Sequence, residues 1–204
     1  MKKYEKTGYL HHDFKIFHLT DHEMSAYDFH YHDFHKLLFF LSGNVTYCIE
    51  GKSYQLTPGD LVLVRAGEVH RPVIHDTTPY ERMIIYVSPD FAVTSSDKTI
   101  FLNQCFLPDA AMPSNVLHLS GMKERRLLDT MTELVHSFSE DSFANEIYQN
   151  TLFLEFMIHL NRAALSGTLQ YEDSFQANEK ILSVLTYMNE HLTEDITVDS
   201  LAEH

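Results

Sequence analysis

Residues 30–70 read HYHDFHKLLFFLSGNVTYCIEGKSYQLTPGDLVLVRAGEVH. Four short apolar runs, KLLFFL, VTYCI, SYQL and DLVLV, are separated by Gly43-Asn44, Glu50-Gly51-Lys52 and Thr57-Pro58-Gly59-Asp60. Proline presets φ for a turn and glycine tolerates positive φ, so these breaks are turns and the runs are strands. Short strands at such even spacing predict a small antiparallel barrel or jelly roll. Side chains alternate along a strand, so His30, His32 and Lys36 fall on one face if the strand is continuous, and His35 on the other. His70 closes the stretch at another strand edge. Converging strand edges predict a pocket, where function is to be sought.

Outward from this stretch, YERMIIYV at 80–87 is another strand, with Arg82 and Tyr86 on one face. Residues 90–118 look irregular, holding only the apolar pieces IFLNQCFL and VLHL. Residues 9–118 read as one all-β domain. After Ser120, a plausible N-cap, the period becomes helical: Leu127, Leu128, Met131, Leu134, Val135 and Phe138 recur at three- and four-residue spacing. A second helix is expected from about Phe143 to Leu165. Its apolar residues cover most of its faces, so it needs more than one neighbour. A single helical core and a dimer seam fit that pattern equally well. Ser166-Gly167-Thr168 breaks the helix. Ile181, Val184, Leu185, Met188 and Leu192 then predict an amphipathic helix, and Thr197 caps another carrying Leu201 and Ala202.

Composition bounds the function. With 204 residues the chain has room for one or two domains and a real core. Fourteen Phe and 11 Tyr exclude a disordered chain. Two cysteines, Cys48 and Cys105, give no disulfide framework and suit a reducing, cytoplasmic setting. MKKYEKTGYL lacks the apolar core of a signal peptide, and KLLFFL is far too short to span a membrane. A formal net charge of −14 opposes nucleic-acid binding by this chain alone. The remaining histidines, among them His11, His12, His18, His22, His35 and His75, are read as polar strand or loop residues.

The His30–His70 motifs resemble the cupin superfamily. Its first motif, Gly-x5-His-x-His-x3–4-Glu-x6-Gly, matches at His30, His32 and Gly43; the opening Gly is missing and Lys36 stands where Glu is expected. Its second motif, Gly-x5-Pro-x-Gly-x2-His, matches at Gly59, Gly67 and His70, with Arg65 replacing Pro. The phrase LSGNVTYCIEGKSYQLTPGDLVLVRAGEVHRPV is similar to the sensor domain of AraC-type bacterial transcription regulators. The helix, the acidic turn and Ile196-Thr197-Val198 followed by Leu201-Ala202 resemble the opening of that family's helix-turn-helix domain.

The resemblance implies a cupin-like sensor at 1–118, helices at 119–168 and a helix-turn-helix start at 169–204. It also implies a homodimer through helices 121–165 and DNA contact only through a C-terminal part beyond His204. Eight acids against Lys180 in 169–204 agree that this stretch does not itself hold DNA. Segment 1–20 is a candidate lid.

Two functions compete for the pocket. In the first, His30, His32, Lys36, Tyr47, His70, Arg82 and Tyr86 bind a small polar effector, a carbohydrate or small acid, without chemistry or cofactor. In the second, His30, His32 and His70 hold a divalent metal for a dioxygenase or isomerase. Lys36 weighs against the metal, since an ammonium about 5 Å from a dication is repelled by roughly 6–7 kcal/mol at an effective dielectric of about 20. A lumenal ammonium also wants a partner, either a ligand anion or a buried acid such as Glu81.

Overall fold

The computed structural model describes residues 4–23, 26–95, 98–107, 114–119, 125–166, 169 and 175–176. The predicted helices at 181–192 and 197–202, and the Ser120 cap, lie outside the described residues.

Thirteen strands and two helices are described. The first eight strands are β1 (Glu5–Lys6), β2 (Phe14–Asp21), β3 (His30–Tyr31), β4 (His35–Ser42), β5 (Val45–Ile49), β6 (Lys52–Gln55), β7 (Asp60–Val64) and β8 (His70–Ile74). There follow β9 (Tyr80–Val87), β10 (Ala92–Ser95), β11 (Lys98–Phe101), a 3-10 turn (Gln104–Phe106), β12 (Val116–His118), α1 (Arg125–Ser137), α2 (Asn145–Ser166) and β13 (Phe175–Gln176). Two sheets form a mostly antiparallel jelly roll, ordered β1-β3-β8-β5-β6-β13 and β12-β7-β4-β9-β2. The predicted jelly roll stands as a sandwich of two sheets, with β10 and β11 a separate hairpin.

Turn chemistry sets the register. Glu50 (φ 46°) and Gly51 (φ 76°) both take positive φ, the two-residue loop that matches strand twist. This loop pairs Ile49 with Lys52. Gly43 sits at φ 126°, and a Cβ there would lie 3.2 Å from the Tyr80 Cα, so only glycine lets the chain pass β9 at this corner.

The apolar runs lack clean alternation because the second sheet is buried on both faces. Leu38, Phe40, Val62, Val64 and Ile84 face the first sheet, with Val45, Tyr47, Ile49 and Tyr54 opposite them. Leu37, Phe39, Leu61, Leu63, Met83, Ile85 and Val87 face outward into a second core. That core is completed by Leu127, Met131 and Leu134 of α1 and by Phe153, Phe156, Met157 and Leu160 of α2. Asn161 anchors α2: its Oδ1 accepts from the Cys105 N–H (2.7 Å) and its Nδ2 donates to the Leu102 carbonyl (2.8 Å).

Three expectations are corrected. Segment 1–20 is not a lid throughout, because Phe14–Asp21 is a full strand paired along β9. From this segment, Thr7 and Gly8 after β1 and Leu19 of β2 line the pocket. Residues 90–118 contain the β10–β11 hairpin and β12, whose pairing with β7 places Val116 in the inner core. Phe143 is fully exposed, and α2 begins two residues later.

Candidate functional site

Strand pairing delivers the histidines to one place. β3 and β8 put His30 directly opposite His70. Between β3 and β4 the chain leaves the strand, and His32 stacks on Phe34 with ring centroids 4.6 Å apart. The break does not move His32 out of the cluster: its ring is 5.1 Å from His30 and 5.0 Å from His70. The Gly67 N–H donates to the His32 carbonyl (2.8 Å), tying the two histidine-bearing loops together. His35 faces outward as parity predicted, stacked on Phe106 at 4.2 Å, with Nδ1 accepting from the Ala66 N–H.

All three lumenal histidines carry the same tautomer. Each Nδ1 lies on a backbone carbonyl, which can only accept: His30 on Asp28 (2.8 Å), His32 on Thr7 (2.5 Å) and His70 on Glu68 (3.0 Å). Nδ1 therefore holds the proton and Nε2 keeps its lone pair. The Nε2 atoms of His32 and His70 are buried without a hydrogen-bond partner among the described residues. Burial first, then the Lys36 charge among lesser causes, keeps the imidazoles neutral; His32 falls to about 4 and His70 to about 2.

Lys36 and Arg82 enter the same lumen, because β4 pairs Lys36 with Tyr86 and Phe40 with Arg82 of β9. Their situations differ. Arg82 donates from Nη1 to the Tyr80 carbonyl (2.9 Å), and its Nη2 lies 2.7 Å from Asp21 Oδ2. Burial works against the Asp21 carboxylate, but hydrogen bonds from Tyr27 and Arg82 hold its pKa below the ordinary value. Lys36 is 6% exposed and has no hydrogen bond or ion pair among the described residues. Its Nζ lies 5.6 Å from the Tyr47 ring centroid. Burial, reinforced by Arg82, lowers its pKa to about 7. The partner suggested above, Glu81, faces away and binds His18 at 2.8 Å.

A cavity of about 430 Å³ lies between the sheets, lined by His30, His32, Lys36, Tyr47, Arg82 and Tyr86 among others. All seven residues singled out from the sequence meet here, His70 through its rings' contact with His30, His32 and Tyr47. Tyr27, Tyr80, Thr7 and Gly8 also line it. Those four, and Asp21, were missed: Thr7, Gly8 and Tyr27 lie in loops and Asp21 ends β2, with no motif linking them to the histidines, whereas Tyr80 opens β9 and shares the parity of Arg82 and Tyr86, a signal that could have found it. The Tyr47 hydroxyl and Arg82 Nε are further buried polar atoms lacking a partner among the described residues. A larger cleft of about 950 Å³ runs outside, between residues 10–16 and α2. None of its lining residues holds an orphaned buried polar atom, so the inner cavity is the stronger site.

The three histidines form a candidate donor set for a divalent metal. One nitrogen from each of His30, His32 and His70 lies within 4.8 Å of the others. A tetrahedral ion needs neighbouring nitrogens about 3.4 Å apart, given bonds of about 2.05 Å. Small ring rotations close that gap, and the backbone-bonded Nδ1 atoms supply the support that metal-binding imidazoles use. Three neutral nitrogens therefore fit an ion, and among the described residues no carboxylate joins them. Repulsion from Lys36 is weaker than expected from the sequence, because burial favours the neutral amine.

Among known proteins, the family model for the AraC-like ligand binding domain matches residues 13–157. The HTH-type transcriptional activator RhaS of Enterobacter sp. (strain 638) is 24% identical over 184 residues, covering 88% of this chain and 61% of that protein. The chain thus spans about three-fifths of the length of that curated relative. A solved RmlC-like cupin from Methanocaldococcus jannaschii shares 16% identity at a TM-score of 0.34, covering 37% of this chain and 70% of that one. The DMSP lyase DddQ from Ruegeria pomeroyi DSS-3 shares 20% identity at a TM-score of 0.35, covering 45% and 44%.

Proposed function

The chain belongs to the AraC-like ligand binding domain family, and on that premise we propose that its lumen captures a small polar effector, a carbohydrate or small acid, to control transcription. One observation carries this reading: at one cavity His32, Tyr47 and Arg82, with His70 packed behind them, hold buried polar atoms that lack a partner among the described residues, beside the buried amine of Lys36. Buried polar groups are costly unless bonded. A ligand rich in hydroxyl or carboxylate oxygens satisfies several at once, while Tyr80 and Tyr86 offer faces for its apolar side.

Signalling follows from what touches the site. The Thr7 carbonyl holds His32, so the β1 stretch forms one wall of the pocket and responds to its occupant. On the other side of the sheet, Leu37, Met83 and Ile85 pack against the core that α1 and α2 complete. Differential affinity for two arrangements of these elements shifts their populations. On α2, Ile147 (67% exposed), Ile158 (38%) and Leu165 (73%) lie 11 and 7 residues apart, whole numbers of turns, and form an apolar stripe. A second copy of the chain is the proposed occupant of that stripe, making the regulator a homodimer through 121–165. The division into a sensor at 1–118, helices at 119–168 and a helix-turn-helix start at 169–204 belongs to the same proposal, as does a cytoplasmic location. Among the described residues no helix is long and apolar enough to cross a membrane.

A panel of monosaccharides and small carboxylic acids, scored by thermal shift and then by operator binding of the full-length regulator, tests the reading. Some members should raise the melting temperature and change DNA affinity; a panel that does neither would overturn it. The histidine cluster favours a second reading, in which His30, His32 and His70 hold a divalent ion. Such an ion supplies Lewis-acid chemistry, and His70 held by Glu68 and His32 held by Thr7 would orient its ligands. Stoichiometric metal after purification in unchelated buffer is the observation that would favour it.

A further inference from the structure

We propose that Lys36 captures a small polar aldehyde or ketone as a reversible imine inside the lumen. The inference rests on the lumen being the effector site and names the chemistry by which it holds its ligand.

Four features carry it. Lys36 is a primary amine at the wall of a cavity of about 430 Å³, so a small carbonyl compound can reach Nζ without unfolding. No carboxylate among the described residues pairs with it; Asp21, the acid bonded to the lining residues Arg82 and Tyr27, is engaged by them. Unpartnered Nε2 lone pairs on His32 and His70 can accept hydrogen bonds from hydroxyl groups of the captured ligand. Lys36 is near enough for its charge to lower the pKa of His30, His32 and His70 alike. Burial and Arg82 add to this by bringing the amine to about 7. About half of it is then free base at neutral pH, against roughly one part in 3,000 for an ordinary lysine.

The chemistry balances without an oxidant or reductant. The Nζ lone pair attacks the carbonyl carbon; a C–N bond forms and the π pair moves to oxygen, which takes a proton. The proton that the nitrogen sheds is the one the oxygen takes, giving a neutral carbinolamine. That oxygen is protonated again and leaves as water as the nitrogen lone pair forms C=N, and the resulting iminium gives up its N–H proton, which replaces the one spent on the leaving water. Amine and carbonyl become imine and water, and hydrolysis reverses the step, as a sensor requires.

Glycolaldehyde with cyanoborohydride is the probe, used on the folded chain at pH 7 and read by intact mass and peptide mapping. The chain's eight other lysines are internal controls. With the α-amine, which titrates at about 8, scored separately, one reduced lysine per chain is expected, Lys36, with at least tenfold preference over the other lysines. The preference should vanish in urea, and Lys36→Arg should lose the adduct while retaining positive charge. Adducts spread over the other lysines with Lys36 unmodified would overturn the proposal, as would a preference that survives urea. Mapping the wild-type chain keeps the test valid if the variant misfolds. Failure here is separable from failure of the effector reading. A panel member that binds while Lys36 stays unlabelled sinks the imine alone, whereas selective labelling with no panel binding supports the imine and sinks the non-covalent effector.

Discussion

Lys36→Met should stabilise the folded chain at neutral pH. The substitution keeps most of the side-chain volume and removes a buried amine that has no ion-pair partner among the described residues. Folding moves that amine from 10.5 to about 7. Between those values the unfolded chain binds more protons, so the wild type loses stability as pH falls toward 7 and regains it as pH rises toward 10.5. At pH 7 the folded amine is about half protonated and the unfolded one fully so, a penalty of about 4 kcal/mol; at pH 9 the penalty is about 2 kcal/mol. Packing differences between the two side chains add an offset that does not depend on pH and cancels in the comparison. Urea unfolding followed by far-UV circular dichroism, run on both proteins at pH 7 and pH 9, reads the gap directly. The methionine variant should gain stability relative to wild type at pH 7, and the gap should narrow by about 2 kcal/mol at pH 9. A gap that does not change with pH would refute the reasoning, because Lys36 would then be held charged by a partner. The same variant should lose effector binding, separating stability from function.

Acid should weaken the fold through His32, His35 and His70, which burial keeps neutral at about 4, about 4 and about 2. Their contribution is complete above pH 6.5 and falls away below it, by about 2 kcal/mol each at pH 5, so a urea midpoint that stays flat from pH 7 to pH 5 would contradict the assignment. Asp21→Asn should destabilise by about 2 kcal/mol in thermal melts, because it strips Arg82 of its carboxylate in a half-buried setting; adding Arg82→Met should recover much of that loss. Ile158→Glu, on the exposed stripe of α2, should convert a sedimenting dimer to a monomer with unchanged circular dichroism; an unaltered dimer would place the seam elsewhere.

Much of the site could be read from the chain because strand parity is local. YERMIIYV became β9 with the expected ends, and its even positions, Arg82, Ile84 and Tyr86, all line the cavity. Which face that was could not be read, since the second sheet is apolar on both sides and its outer face is covered by α1 and α2. FKIFHLTD of β2 mixes charged and apolar residues, and its place beside β9 is a long-range pairing with no local signal. Asp21 carries no local signal either. Only the register that sets Asp21 opposite Tyr80 brings it to Arg82. The tautomers of His30, His32 and His70 were equally out of reach, being set by backbone carbonyls of Asp28, Thr7 and Glu68.

The most direct test of the central claim is a crystal structure of the chain soaked with the panel member that gives the largest thermal shift. The account predicts density between the sheets, with a polar group of the ligand against Lys36 and its body against Tyr86. Density confined to the outer cleft beside residues 10–16 and α2, with the inner cavity excluded, would contradict it.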